Sequence, residues 1–213
     1  MRYLTKHPKP QILSQNEETW TAALLNDPSN DNIKKRYKHQ EVKAVLREET
    51  SWKCVYCESY IGHNTPGDVE HKAPVSKFPE KCFDWENLTV ACQECNSRKN
   101  NYYDSVHGFL DPYVDNVEEV LVHQGPFVSP IPGNKKAEKA VLALKLSDRT
   151  RYQLILRKMD KLQEVRETVE RVNAETDATL RSLLDLKVVE MADTSSEYSA
   201  MVKDYISRIY RAV

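Results

Sequence analysis

The chain has 213 residues, enough for one good-sized domain or two small ones with a hydrophobic core. Charged residues are 30% and hydrophobic residues 40%, an ordinary globular balance, and no apolar run approaches the roughly 18 to 20 residues of a membrane span. The net charge of -1 excludes no polyanionic partner, because only a patch near a site has to be basic.

The opening Met1 to Pro10 lacks the apolar core of a signal peptide, so a cytoplasmic location, with no membrane association, is the expectation. Thiols stay reduced in that compartment, which favours metal binding over disulfides for close cysteine pairs. Cys82 lies outside those pairs and reads as a half-buried free thiol beside Phe83.

In chain order, Ser14 and Glu17 have capping-box spacing in front of Trp20, Leu24 and Leu25, predicting a short helix. Residues 27–30 punctuate the chain. Asn32 to Glu49 then reads as a second helix, with Ile33, Tyr37, Val42, Val45 and Leu46 at helical intervals. It delivers the chain to Cys54.

The central stretch has the pattern of a compact ββα unit. Gly62 and residues 65–67 supply a turn, Val69 marks a strand, Asn87 to Ala91 is β-compatible, and Gln93 to Asn101 can start a helix. Val117 to His123 can be a further strand. Breakers at 124–127 and 130–134 mark the best boundary in the chain.

Beyond Lys135 glycine and proline are absent and helical periodicity returns through Leu144, Leu154, Met159 and Leu184. Both signs of charge between Arg149 and Leu186 predict exposed i,i+4 ion pairs. Thr194 and Glu197 form another capping box, in front of an apolar face of Tyr198, Met201, Val202, Tyr205, Ile206, Ile209 and Tyr210 that closes the helical half or docks a partner.

The expected fold class is α+β, mainly α. It divides into an N-terminal helical segment (1–50), a zinc-stapled core (51–130) and a C-terminal helical region (131–213).

Two C-x2-C pairs, Cys54/Cys57 and Cys92/Cys95, supply the four soft ligands a structural zinc ion wants. Taken alone they are compatible with a zinc-stapled module that binds nucleic acid or a partner without catalysis. Between them stand Glu70 and His71. Phosphodiester hydrolysis needs a base to activate water and a divalent cation to neutralise developing charge. Histidine suits the first task near neutral pH, and hard oxygen donors suit magnesium or manganese. On a strand these neighbours point to opposite faces, so a bend or bulge is expected to bring them together. Asn96 is the natural second oxygen ligand. Asn87, which cannot be a base, is expected to orient His71 by hydrogen bonding, and Lys99, one turn after Asn96, to meet a phosphate.

Glu70-His71-Lys72-Ala73-Pro74, then Asn87-Leu88, then Cys92 to Lys99 resembles the motif of the HNH (ββα-metal) endonucleases in their four-cysteine form. The resemblance implies that His71 is the general base, that Glu70 and Asn96 hold the catalytic Mg2+ or Mn2+, that Asn87 is the middle motif residue, and that Cys54, Cys57, Cys92 and Cys95 hold Zn2+. Asparagine stands at position 96 where many members have histidine.

A wider resemblance rests on the opening Met1 to Pro10, the Val42 to Leu46 helix running into Lys53-Cys54-Val55-Tyr56-Cys57-Glu58, and Phe109-Leu110-Asp111-Pro112. It covers most of residues 1–150 and is similar to the small PtuB-type HNH proteins of Septu and retron anti-phage systems. That likeness implies an ATPase of the ABC/SMC type (PtuA-like) as partner, with a retron reverse transcriptase and its DNA in some systems. It also implies DNA, or a specific RNA, as the nucleic acid cut.

Overall fold

The computed structural model describes residues 1–62, 67–104 and 106–209. Residues Thr65 and Pro66 of the expected turn, and Tyr210 of the last apolar face, lie outside the described residues. The chain is α+β and mainly helical, with two small two-stranded sheets.

Helix α1 spans Gln11–Asn26 and starts earlier than the Ser14/Glu17 spacing predicts. Pro10 occupies the N-cap, and Ser14 Oγ donates to Pro10 O at 3.2 Å from inside the first turn, so the capping box does not form. Proline suits a helix start because its φ is preset and it has no N–H to orphan.

The predicted second helix is three pieces: α2 (Asp31–Lys34), a 3-10 turn over Lys35–Lys38, and α3 (Gln40–Glu49). Asn30 caps α2, and His39, with φ −52° and ψ 144°, leaves the helical region and caps α3 by accepting from Glu41 N. These two local caps outweigh the continuous apolar spacing.

Strand β1 (Asp68–His71) pairs antiparallel with β2 (Leu88–Ala91), Asp68 opposite Ala91 and His71 opposite Leu88, and α4 (Gln93–Lys99) follows. This is the expected ββα unit. The register is unbroken, so the bulge expected at Glu70-His71 is not there.

An isolated hairpin is marginal in water, and this one is held from several sides. Val42 and Leu46 of α3 and Trp85 are buried in the same core as Leu88 and Val90. Lys6 bonds Leu88 O (2.7 Å) and Glu49 (3.2 Å) while lying 3.8 Å over the Trp85 ring. The buried Glu49 carboxylate also accepts from Tyr113 Oη (2.5 Å) and His7 N (2.9 Å). Its acceptors are satisfied, as burial of a charge requires.

Residues Val117 to His123, expected as one strand, divide into a helical turn α5 (Val117–Val120) and β3 (Leu121–Gln124). Strand β3 pairs with β4 (Phe127–Pro130), so the breakers at 124–127 make a hairpin turn rather than a boundary.

Helix α6 spans Lys135–Leu144, capped by Asn134; α7 spans Tyr152–Ala174, α8 Ala178–Ala192 and α9 Ser199–Ile209. The exposed i,i+4 pair Arg166–Glu170 (3.9 Å) lies on the charged face of α7, as the charge pattern predicts, and Lys161–Glu164 (3.0 Å) adds an i,i+3 pair. The Thr194/Glu197 capping box does not form. The Thr194 and Ser196 carbonyls accept from the buried Lys53 ammonium, and Glu197 accepts from Tyr60 N at 2.9 Å. A tertiary partner takes the Glu197 carboxylate that the box needs, and Lys53 holds the backbone around it.

Helix α9 is further pinned by Glu58, whose Oε2 accepts from Ser199 Oγ (3.0 Å) and Ala200 N (3.1 Å) while Oε1 pairs with the Met1 ammonium (2.7 Å). Among the described residues no helix is long and apolar enough to cross a membrane.

His123 on β3 is buried, and its backbone N–H donates to Asp204 of α9 at 2.8 Å. Burial lowers its pKa from the usual 6.5; the Asp204 bond and Glu58 oppose the shift, while the amino terminus and Lys158 add to it. A base depressed on folding contributes stability above its unfolded pKa and loses it as pH falls. Acidification below about 6.5 is therefore expected to lower the melting temperature of the wild type more than that of His123→Gln, as calorimetry from pH 7.5 to 5.5 would read. Parallel curves would refute the assignment.

Candidate metal centre and active site

Residues Cys54 and Cys57 sit in a tight knuckle, with Cys54 N bonded to Ser59 O at 2.9 Å, Glu58 N to Cys54 O at 2.9 Å, and Glu58 at φ +62°. Cys92 is the N-cap of α4 and its sulfur accepts from Cys95 N at 3.4 Å. The four Sγ atoms lie within 4.8 Å of one another, and Cys57 Sγ is 3.8 Å from Cys92 Sγ. A tetrahedral zinc with Zn–S near 2.3 Å has ligand edges of about 3.8 Å, whereas a disulfide needs about 2.05 Å.

The chemistry of the set fits a cation as well. Burial pushes the Cys54 thiol up, whereas hydrogen bonds from Cys54, Cys92 and Cys95 hold Cys57 well down. Four adjacent sulfurs, three of them on buried residues, can ionise together only around a positive ion. Arg151 adds a further positive charge, donating to Cys95 Sγ (3.3 Å) and to Glu94 (3.2 Å). No spacing rule in the sequence points to it.

The clip positions an open cleft lined by Lys34, Tyr37, Glu70, His71, Asn96 and Asn100, among others. Its walls come from the end of α2 and the 3-10 turn after it, the end of β1 with the loop that follows, and helix α4. Three larger pockets elsewhere on the surface hold none of the Glu70, His71 and Asn96 set.

His71 is buried, its Nε2 lies 2.9 Å from Cys82 O, and the Tyr37 ring meets it edge-on at 4.5 Å. A carbonyl only accepts, so Nε2 carries the proton and Nδ1 keeps its lone pair. Burial depresses the imidazole to about 4; the Cys82 bond opposes this, and Lys99, Lys34 and Lys38 reinforce it. The ring is neutral at physiological pH.

Glu70 is 4% exposed and faces Lys99, with Oε1 2.6 Å from the ammonium and 3.3 Å from Tyr56 Oη. Burial nevertheless raises its pKa, and Lys99 and Tyr56 only partly oppose that. The carboxylate has room for more positive charge than Lys99 supplies.

Asp68, two residues earlier on β1, projects to the same strand face. Its Oδ2 accepts from Asn96 Nδ2 at 3.1 Å, which commits the nitrogen end of that amide and leaves Oδ1 free. Hard oxygens from Glu70, Asp68 and Asn96 are a donor set that fits a hard divalent cation. Asp68 was legible only as the i−2 neighbour of Glu70.

Two expectations are corrected here. Lys99 does not face solvent: it is 1% exposed, and its ammonium is bonded to Glu70 and to His71 O (2.8 Å), so it cannot reach a phosphate. The helical turn that follows Asn96 rotates position 99 inward, against β1. Asn87 does not bond the His71 ring. Its Oδ1 accepts from Ala73 N (2.7 Å), and its Nδ2 donates to the carbonyls of Ala73 and Lys81 (both 3.0 Å). It ties the loop after His71 to the residue before Cys82, and so holds the carbonyl that anchors the imidazole.

Residues 54–102 match the family model for HNH endonucleases. The stapled ββα unit is an HNH endonuclease domain, and the chain that carries it is a nuclease whose substrate class is nucleic acid. A zinc module without catalysis gives way to that match.

Over 214 aligned residues the chain is 27% identical to the Septu protein PtuB of Bacillus thuringiensis, covering 95% of this chain and 80% of that relative. A Septu protein PtuB of Bacillus mycoides (strain KBAB4) is 32% identical over 81 residues, 32% of this chain and 28% of that relative. The first alignment is too long to stop at residue 150, so the likeness reaches into the C-terminal helices.

Proposed function

We propose that this nuclease is the effector of a Septu-type anti-phage system in the cytoplasm and hydrolyses phosphodiester bonds, with DNA favoured over RNA. What supports the reading is the shared cleft of Glu70, His71 and Asn96 at the end of a zinc-clipped hairpin, together with the likeness to Septu proteins along most of the chain.

In this reading His71 Nδ1 takes a proton from water. The water oxygen then adds to phosphorus as the bond to the leaving sugar oxygen breaks. Glu70 and the Asn96 amide oxygen hold Mg2+ or Mn2+, which when bound neutralises charge on the phosphate and the leaving oxygen. Asp68 keeps the Asn96 oxygen turned outward, and Lys99 keeps the Glu70 carboxylate in place before the cation arrives. Asn87 holds the His71 loop, and Zn2+ on Cys54, Cys57, Cys92 and Cys95 is structural.

Residues 1–50, 51–130 and 131–213 divide the work as N-terminal support, nuclease core and partner-docking region. The partner is an ATPase of the ABC/SMC type, joined in retron-type systems by the reverse transcriptase and its DNA. Leu183, Leu186 and Val189 of α8 and Tyr152, Leu156 and Met159 of α7 are apolar, helically spaced and solvent-exposed, as a docking face requires.

Metal uptake tests the catalytic assignment. Wild-type protein with its zinc in place is expected to bind manganese at a second site, read by electron paramagnetic resonance. Glu70→Gln and Asn96→Ala are each expected to weaken that binding by roughly ten- to a hundredfold with zinc content unchanged. Undiminished manganese binding in both variants would remove the two residues from the site.

A further inference from the structure

The cleft that holds His71 has one wall that the HNH motif does not supply. It comes from the segment Lys34-Lys35-Arg36-Tyr37-Lys38, the end of α2 and the 3-10 turn that breaks the expected helix. Lys34 and Tyr37 line the cleft beside Glu70, His71 and Asn96. The segment is fixed to the catalytic ring at two points: Tyr37 packs edge-on against His71, and the Lys34 carbonyl accepts from Cys82 Sγ (3.8 Å), the residue whose own carbonyl holds His71 Nε2.

The charge on this wall is largely uncompensated. Lys35 pairs with Asp31 at 2.9 Å. Lys34, Arg36 and Lys38 form no ion pair among the described residues, and Arg36 and Lys38 are solvent-exposed, stacked near Trp20 and Tyr37. The Lys38 ammonium lies 5.6 Å from the centroid of the Tyr37 ring, which itself packs on His71. On a chain of net charge -1, three cations without an ion pair within residues 34–38 concentrate positive charge at the edge of the cleft. The rest of the lining includes the neutral groups Ser76, Ser97, Asn100 and Asn101. A cleft edged by cations and lined by amides and hydroxyls complements a phosphodiester backbone.

We infer that Lys34, Arg36 and Lys38 form the track that grips the nucleic-acid backbone next to the phosphate to be cut, the task that buried Lys99 cannot perform. The inference rests on the reading of the His71 cleft as the catalytic site. Cations at these positions act on binding and register, and none of them is needed for proton transfer. Because each neutralised phosphate releases a counterion, the track has a thermodynamic signature in the salt dependence of binding.

The test measures binding of a fluorescent DNA duplex and a single strand to the full chain in EDTA, by anisotropy from 50 to 300 mM salt. Removing three phosphate contacts in K34A/R36A/K38A is expected to weaken binding at least about tenfold and to reduce the slope of log K against log salt by roughly 2 to 3. The conservative K34R/R36K/K38R should bind as wild type. A matched loss of charge far from the cleft, K135A/R166A/K187A, should change affinity less than about threefold.

The single exposed change K38E gives a weaker loss in a chain whose core is untouched, which guards against misfolding of the triple variant. Wild-type protein without salt-dependent binding, a strip variant that binds as wild type, or equal losses in both triple variants would overturn the track. Cleavage that survives His71→Ala while the strip still governs binding would instead overturn the catalytic assignment alone.

Discussion

Replacing His71 with alanine is expected to lower nucleic-acid cleavage by about a hundredfold to ten-thousandfold, the range that a positioned general base supplies. The imidazole is held for this by contacts on two sides, Cys82 O at Nε2 and the Tyr37 ring edge, so its free nitrogen has a fixed place rather than a range of rotamers. His71→Gln separates chemistry from support, since it can still donate to the Cys82 carbonyl but carries no titratable lone pair. It should cleave as poorly as the alanine variant and melt closer to wild type. Both should retain zinc, because the cysteines are untouched. The assay is single-turnover cleavage with Mg2+ and with Mn2+, in the presence of the ATPase proposed as partner. Undiminished cleavage by either variant would sink the assignment of His71 as base.

The second large effect concerns the staple. Cys95→Ser is expected to lose the zinc ion and with it the folded ββα unit. Structural zinc supplies on the order of 10 kcal/mol in small metal-stapled folds, against a total domain stability of about 5 to 15 kcal/mol. Cys95 is fully buried at the first turn of α4, adjacent to Asn96, and its sulfur is also the acceptor for Arg151. The loss therefore leaves a buried guanidinium short of its partner as well as three thiols without their cation. Zinc stoichiometry by elemental analysis and unfolding by circular dichroism read the outcome. A zinc-free variant that melts with the wild type would show that the cysteines do not carry the fold. Chelation of the wild type should reproduce the variant.

These two expected outcomes differ in kind because the proposed reading gives the stretch from Cys54 to Asn101 two jobs. In it the cysteines contribute folding energy and the polar side chains they position contribute chemistry, so mutating the first group is expected to remove the fold and mutating the second only the reaction. Arg151 supports the first group, reaching from the turn before α7 to both Cys95 and Glu94.

Local sequence was informative where the physics is local. The cysteine spacing, the ββα order and the helical periodicity after Lys135 were legible because ligand bite, strand alternation and helix period are short-range properties. Capping boxes were not reliable. Ser14/Glu17 gave way to Pro10, and Thr194/Glu197 gave way to the Lys53 ammonium and the Tyr60 amide, because a cap is one weak hydrogen bond that a tertiary partner can replace. The continuous apolar spacing from Asn32 to Glu49 concealed the break at Lys35–His39, which two side-chain caps create.

By itself the sequence determined which residues could do chemistry here: four thiolate ligands, one imidazole and a few hard oxygens, in an order that admits a metal-dependent nuclease. The tertiary structure decided which way each of them faces. Lys99 turns inward to hold Glu70, Asn87 ties two loops rather than the imidazole, and Asp68 orients Asn96. Orientation depends on partners beyond the reach of helix or strand period, 14 residues away for Asn87 with Ala73, 28 for Lys99 with His71 and 82 for Lys6 with Leu88, and such contacts are set by packing rather than by any spacing. The basic wall of Lys34 to Lys38 becomes part of the cleft for the same reason, because Tyr37 and Cys82 bring it against His71.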